Sequence, residues 1–229
     1  MQMTDHMWQQ DALPAARRVS GRLLLFIAAP VGWMVLAWLH PAPNPDRIYE
    51  DLAVAADRWL VVHLLQLLLT LGIGATLWIA VRGRQGTAAT VTRCAVPVYL
   101  VFFSAFDSVA GIASGLAVRH ASSLNGAERE GAASTAEYLL MNHFGGDGSL
   151  LAAISTTALS CAIVGVAMTL RTAGASRVVW MGVLGGVLLN FHGAGVIPIF
   201  GLAALSASLC AAERRGLFAM RQTSTRVTI

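Results

Sequence analysis

Asp107 stands inside the run "VFFSAFDSVAGIASG", a carboxyl group where a bilayer should hold none. On insertion scales a carboxylate at mid-membrane is disfavoured by about 2.5–3.5 kcal/mol, so it must be protonated or partnered. No basic side chain lies within two turns of it on its own segment. The groups able to meet it are His63 in "VVHLLQLLLTLG" and His192 in "NFHGAGVIP", with Gln66 and Asn190 as neutral donors. A carboxyl group facing imidazole in low dielectric has coupled protonation, one proton moving between the two. That chemistry serves a proton relay or solute binding. It also serves general acid–base catalysis on a lipid or isoprenoid, or a three-ligand metal set of His63, Asp107 and His192. The three lie on separate segments with no local "HExxH" spacing, so the sequence assigns no metal and no cofactor. Haem held by His63 and His192 is set back by their unequal depth. A retinal Schiff base is excluded, because the chain has no Lys.

Depth brings these groups together. Gln66 lies 16 residues from Arg82, Asp107 14 from Arg93, and Ser155 to Thr157 16 to 14 from Arg171. Asn190 and His192 lie 13 and 15 from Arg177. At the helical rise all fall roughly 20–24 Å from the Arg belt, with His63 about 5 Å higher. Helical periodicity aligns His63, Gln66 and Thr70 on one stripe, and Ser104, Asp107, Ser108 and Gly111 on another. Polar seams in apolar helices should face each other rather than lipid. The expectation is a wet vestibule open away from the cell interior, with His192 on its floor, Asp107 and His63 on its walls, and His143 and Asp147 near its rim.

The elements that must position this layer are apolar. Of the 229 residues 56% are hydrophobic and only 12% charged, about half the charged share of a soluble domain. The fold expected is all-α, a polytopic integral membrane bundle of six transmembrane helices over about 22–39, 59–81, 94–118, 149–170, 177–193 and 197–212. Residues 1–21 and 213–229 form tails around the membrane domain 22–212. The first stretch follows Arg17, Arg18 and Arg22, but "WLHPAPNP" has no small-x-small cleavage site, so it reads as a retained helix. The segment "GAASTAEYLLMNHF" has the pattern of a short interfacial helix with Tyr138, Leu139, Met141 and Phe144 on its apolar side. The two halves of the chain show no convincing inverted repeat.

All 16 basic residues are Arg, which with the Ala- and Gly-rich composition points to a GC-rich bacterial genome. The net charge of +4 is an orientation signal here, and no nucleic-acid partner follows from it. Arg residues crowd the N-terminal tail, the second and fourth connections and the C-terminal tail, whereas the odd connections mix Arg with Asp and Glu. That alternation places the protein in the cell membrane with both termini cytoplasmic. It also makes "NFHGAGVIP" a hairpin turn, with Gly195 free to take positive φ and Pro198 in the first turn of the returning helix. Gly182 and Gly186, and likewise Ala153, Thr157 and Cys161, have the four-residue spacing of close helix packing. Cys94, Cys161 and Cys210 have no metal or redox spacing and read as packing residues. The partners expected are membrane lipid, a small-molecule or ion ligand, and a second copy docked through the Gly182–Gly186 face. Transport or binding of a small solute leads the functional readings. An intramembrane enzyme and a structural or accessory subunit stand beside it.

Overall fold

The computed structural model describes residues 21–44, 46–191 and 195–218, and all regular structure among them is helical. Helices α1 (Gly21–Leu39), α2 (Ile48–Ala80), α3 (Thr87–Ala121), α5 (Leu150–Thr172) and α7 (Ile197–Arg214) are long and apolar enough to cross a membrane. Between α3 and α5 lies α4 (Gly126–Met141). Before α7 comes α6 (Arg177–Phe191), too short to count with the others. The sequence expected six spans, and five meet the length criterion. The reason lies in α6: after Leu184 it tightens into a 3₁₀ helix over Gly185–Phe191. Two adjacent glycines have the weakest hold on α geometry, and 3₁₀ winding gains length per residue. The 15 residues therefore rise about 26 Å, close to the thickness of a bilayer core.

Several boundaries also move. Helix α2 begins at Ile48 rather than 59, because nothing between Arg47 and Val81 breaks it and its charged first turns can stand in water. Helix α3 runs from Thr87 to Ala121 rather than over 94–118. The short helix expected over 131–144 is present but runs from Gly126 to Met141; it exposes Tyr138 and Met141, and Phe144 is exposed just beyond it.

Helices close in sequence are neighbours in space. Contacts join α1 to α2, α2 to α3, α3 to α5, α5 to α6, α6 to α7 and α7 back to α1, closing a ring. Helix α4 packs on α2 and on the C-terminal part of α3. Phe26, Trp33, Ile73, Leu77, Tyr99 and Leu205 fill the interior, while Leu24, Val35, Leu68, Val101 and Phe200 point outward. The hairpin between α6 and α7 has Gly195 at φ 63° and Pro198 in the first turn of α7. Gly182 abuts Ser208, and Gly186 abuts Leu205 and Ile163, so these glycines pack on α7 and α5 within the chain. Ala153, Thr157 and Cys161 were expected to pack; they line an apolar surface groove with Cys94, and both cysteines are exposed.

The two ends of the bundle differ in charge. At one end Arg22 meets Glu213 at 3.4 Å and donates to the Phe218 carbonyl at 2.9 Å. Arg84 donates to the Leu217 carbonyl, Arg93 to that of Arg84 at 3.0 Å, and Arg215 to Ser176 Oγ at 3.0 Å. Eight described Arg residues gather there (22, 82, 84, 93, 171, 177, 214, 215) against the acid Glu213. The opposite end has eight acids (46, 50, 51, 57, 128, 130, 137, 147) against Arg47, Arg58, Arg119 and Arg129.

The α6–α7 contact depends on absent side chains: a Cβ on Gly201 would lie 2.5 Å from the Gly185 carbonyl oxygen and 2.7 Å from Leu188 Cβ. Gly201→Val should therefore force the pair apart and destabilise the protein by about 1–3 kcal/mol. The check is a lowered unfolding midpoint in detergent relative to Gly216→Val, which meets open space and carries only the strain of a positive φ.

Candidate functional site

The site begins with a change of helical winding. From Asp107 to Ala113 helix α3 is a π-helix. Across it the buried residues recur every four positions rather than alternating by three and four. Phe103, Asp107, Gly111 and Gly115 form one row, and Phe106, Ala110, Ser114 and Val118 the next. In a regular helix such rows would drift around the axis; the wider π turn absorbs the drift and keeps them facing the bundle. Serines help the change, since Ser108 donates to the Ser104 carbonyl at 2.7 Å and Ser114 to those of Ala110 and Gly111. The same unwinding takes Ser108 out of the seam where the α-helical stripe had put it: it is exposed.

Helix α2 lies against these rows. A Cβ on Gly111 would overlap the His63 ring, and one on Gly115 would lie 2.7 Å from Trp59 Cδ1. Two glycines thus admit two aromatic rings. Trp59 Nε1 donates to the Gly111 carbonyl at 2.6 Å, a contact that ties α2 to the π segment. His63 Nδ1 meets Asp107 Oδ1 at 2.6 Å, with His63 only 4% and Asp107 only 1% exposed. When Asp107 is ionised its oxygen accepts from Nδ1–H, which leaves the lone pair of a neutral His63 on Nε2; when it is protonated the roles reverse. Neither His63 Nε2 nor Asp107 Oδ2 has a hydrogen-bond partner among the described residues.

The polar layer continues along α2. Gln66 is fully buried, and neither atom of its amide finds a partner among the described residues. The hydroxyls of Thr70 and Tyr99 face each other across the α2–α3 contact. Beyond Tyr99, a cavity with about 20 Å³ open to water centres, enough for one water, is lined by Ser155 and Asn190 among others. Asn190 Nδ2 donates to Ser160 Oγ at 2.8 Å and so joins α6 to α5, not to the imidazole–carboxyl pair.

The structure therefore joins His63 to Asp107, stacks Gln66 beneath them and sends Asn190 elsewhere. His192 lies outside the described residues. His143 and Asp147 are exposed. The pair is sealed rather than on the walls of an open vestibule, because the glycine rows let α2 close directly on α3. Two neighbours escaped the sequence reading. Trp59 was legible, being one turn from His63 on the same stripe. His40 was not: it follows α1 in a connection, where a polar side chain is expected in solvent, yet its ring centroid lies 5.1 Å from both His63 and Trp59. Trp59 and His63 are themselves 4.3 Å apart. No group of three or more His, Cys, Asp or Glu among the described residues could hold a metal ion.

Gly111→Ala should displace His63 and break its contact with Asp107, lowering stability by about 1–3 kcal/mol through overpacking. In Gly111→Ala/His63→Ala the loss should be smaller than the sum of the single losses, since the second change removes the clash. Unfolding midpoints of the four proteins of the cycle measure this, and strict additivity would refute the contact. Comparison with protein families, with curated proteins and with solved structures finds no match, so function must be argued from this geometry alone.

Proposed function

We propose that this chain is a multi-pass protein of the cell membrane that moves or binds a small solute or ion in step with a proton held by His63 and Asp107. One observation carries the reading. In an apolar bundle, a carboxyl group, an imidazole and an amide lie buried side by side on α2 and α3, and His63 Nε2, Asp107 Oδ2 and the Gln66 amide have no hydrogen-bond partner among the described residues. A merely structural layer would satisfy these atoms within the protein, because an unmet buried amide costs roughly 2–7 kcal/mol by transfer measures. Intramembrane acids likewise default to function.

The chemistry follows from the pair. With Asp107 ionised and His63 neutral, the layer offers a bare imidazole nitrogen and a carboxylate oxygen, both acceptors, beside an amide that can donate and accept. Gain of one proton turns an acceptor into a donor and cancels or balances the buried charge. A solute that meets both states differently is thereby coupled to protonation. The sealed geometry corresponds to an occluded form, and exchange with solvent requires α2 and α3 to part or a neighbouring group to relay.

Orientation follows from charge. The end with eight Arg faces the cytoplasm by the positive-inside rule, which sets both termini inside and makes α6 a sixth crossing. A C-terminal reporter active only in the cytoplasm should be active on this chain; one active only outside should be silent, and the reverse result overturns the topology. For the coupling, Asp107→Asn keeps the side-chain shape but removes the titrating group. In proteoliposomes holding a pH-sensitive dye, it should reduce proton flux under an imposed potential at least about tenfold, as expected for loss of a positioned proton-transfer group. Flux equal to that of the unaltered protein would end the proposal.

A further inference from the structure

We propose that helix α4 is the gate of the buried pair, a brace across α2 and α3 that pivots on its C-terminal turn and is latched to α2 by Arg129 and Tyr49. The inference rests on the reading that the pair exchanges with solvent, and it names the element that controls the exchange. The glycine rows let α2 close on α3, so the pair opens where those helices part. Helix α4 packs on α2, on the π segment and on the C-terminal part of α3, and so holds them together at the acidic end.

The two ends of α4 are fastened differently. After its C-terminus the chain turns tightly over 142–149. Asn142 Oδ1 accepts from the Phe144 N–H at 3.1 Å and from that of Gly145 at 2.7 Å, and the Gly146 N–H donates to the Asn142 carbonyl at 2.9 Å. The N–H groups of Leu150 and Leu151 donate to the carbonyls of His143 and Phe144, both at 3.1 Å, which ties the turn to the start of α5. The turn also seats on the site: a Cβ on buried Gly145 would lie 3.0 Å from Val109 Cγ1 in the π segment. This end is the pivot.

The N-terminal end is held lightly. Asn125 supplies no side-chain cap to the first turn, and Gly126 stands at φ 56° with open space around it, a position able to absorb a change of backbone angle. Of the 16 residues of α4 only Ala136 and Leu140 are buried, both in its C-terminal half. An element with so little buried apolar surface opens at low cost, as lids do. Among the described residues one side-chain hydrogen bond joins α4 to α2. Arg129 Nε donates to Tyr49 Oη at 3.2 Å, and the guanidinium carbon lies 5.8 Å from the tyrosine ring centroid. Arg129 is in the first turn of α4, where the helix dipole disfavours a cation, while Tyr49 is buried in the first turn of α2. The latch thus sits at the end of α4 away from the pivot. One hydrogen bond and one cation–π contact at an exposed arginine keep the gate shut without making it permanent.

The test is amide hydrogen exchange of the full chain in lipid nanodiscs, read by mass spectrometry over the π segment 107–113, with 158–167 of α5 as internal reference. Arg129→Ala removes the latch and should speed exchange over 107–113 about fivefold, the weight of one hydrogen bond, with the reference unchanged. For the converse, Tyr49→Cys/Arg129→Cys is bridged by a cleavable bis-maleimide in a chain whose Cys94, Cys161 and Cys210 are replaced by Ser. The bridge should slow exchange over 107–113 at least about tenfold, and cleaving it should restore the unbridged rate, a reversal no packing defect gives. Exchange indifferent to both the bridge and Arg129→Ala overturns the inference, as does an acceleration shared equally by the reference segment. The two proposals fail separately. Lost flux in Asp107→Asn with exchange indifferent to the bridge sinks the gate alone, and bridge-sensitive exchange with normal flux in Asp107→Asn sinks the coupled function alone.

Discussion

A 2.6 Å contact between His63 and Asp107 imposes the architecture around it. Neither group can be left alone in an apolar bundle, and removing one partner of a buried pair costs about 3–5 kcal/mol because the other stays uncompensated. The contact demands that α2 approach α3 more closely than side chains allow. Gly111 and Gly115 remove the obstruction, and the π segment turns both glycines, with Asp107, to the same side. The wider turn also presents the Gly111 carbonyl to Trp59. Winding, glycine placement and polar contact are one device.

Polar atoms divide into two sets. Four buried hydroxyls have backbone partners: Thr76 donates to Leu25, Thr92 to Ala162, Thr169 to Gly165 and Ser206 to Phe26. Three of these bonds tie α2 and α7 to α1, and α3 to α5. Between α2 and α3, by contrast, His63, Gln66, Thr70, Tyr99 and Asp107 hold buried polar atoms with no hydrogen-bond partner among the described residues. Bonded hydroxyls fasten the surrounding helices and unused polarity gathers at one contact, as expected where a working site is carried on a rigid scaffold.

Much of this was legible in the sequence, and the failures have physical causes. The all-helical membrane class, the short helix α4 and the turn at Gly195–Pro198 follow from composition and turn chemistry. The stripe His63, Gln66 and Thr70 is buried as its period requires, because α2 is regular there. The stripe on α3 held for Asp107 and Gly111 but not for Ser108, because counting by 3.6 fails where winding changes, and a π turn has no signature in residue types. Gln66 was expected as a neutral donor to Asp107, since sequence reports a polar group but not whether a partner lies within reach. His40 was missed for a related reason: a connection residue's place is fixed by where its flanking helices converge. The shortness of α6 was equally hidden, since hydropathy marks a run of apolar residues and not its winding.

Position along α2 sets how far the pair stands from each charged end. His63 is six residues from Asp57, about 9 Å at the helical rise, but 17 residues from Ala80, about 26 Å. Between the pair and the basic end stand Gln66, the facing hydroxyls of Thr70 and Tyr99, and then Ile73 and Leu77, both fully buried. A charge moving that way would have to pass these apolar side chains before reaching an Arg, whereas one moving toward the acidic end meets Trp59 and then carboxylates. The barrier is therefore lower on the acidic side in this arrangement. Any path to the basic end requires a second arrangement of α2 against α3, and the π segment is where such a change costs least, because its hydrogen bonds are already off the regular ladder and its contact surface there is glycine.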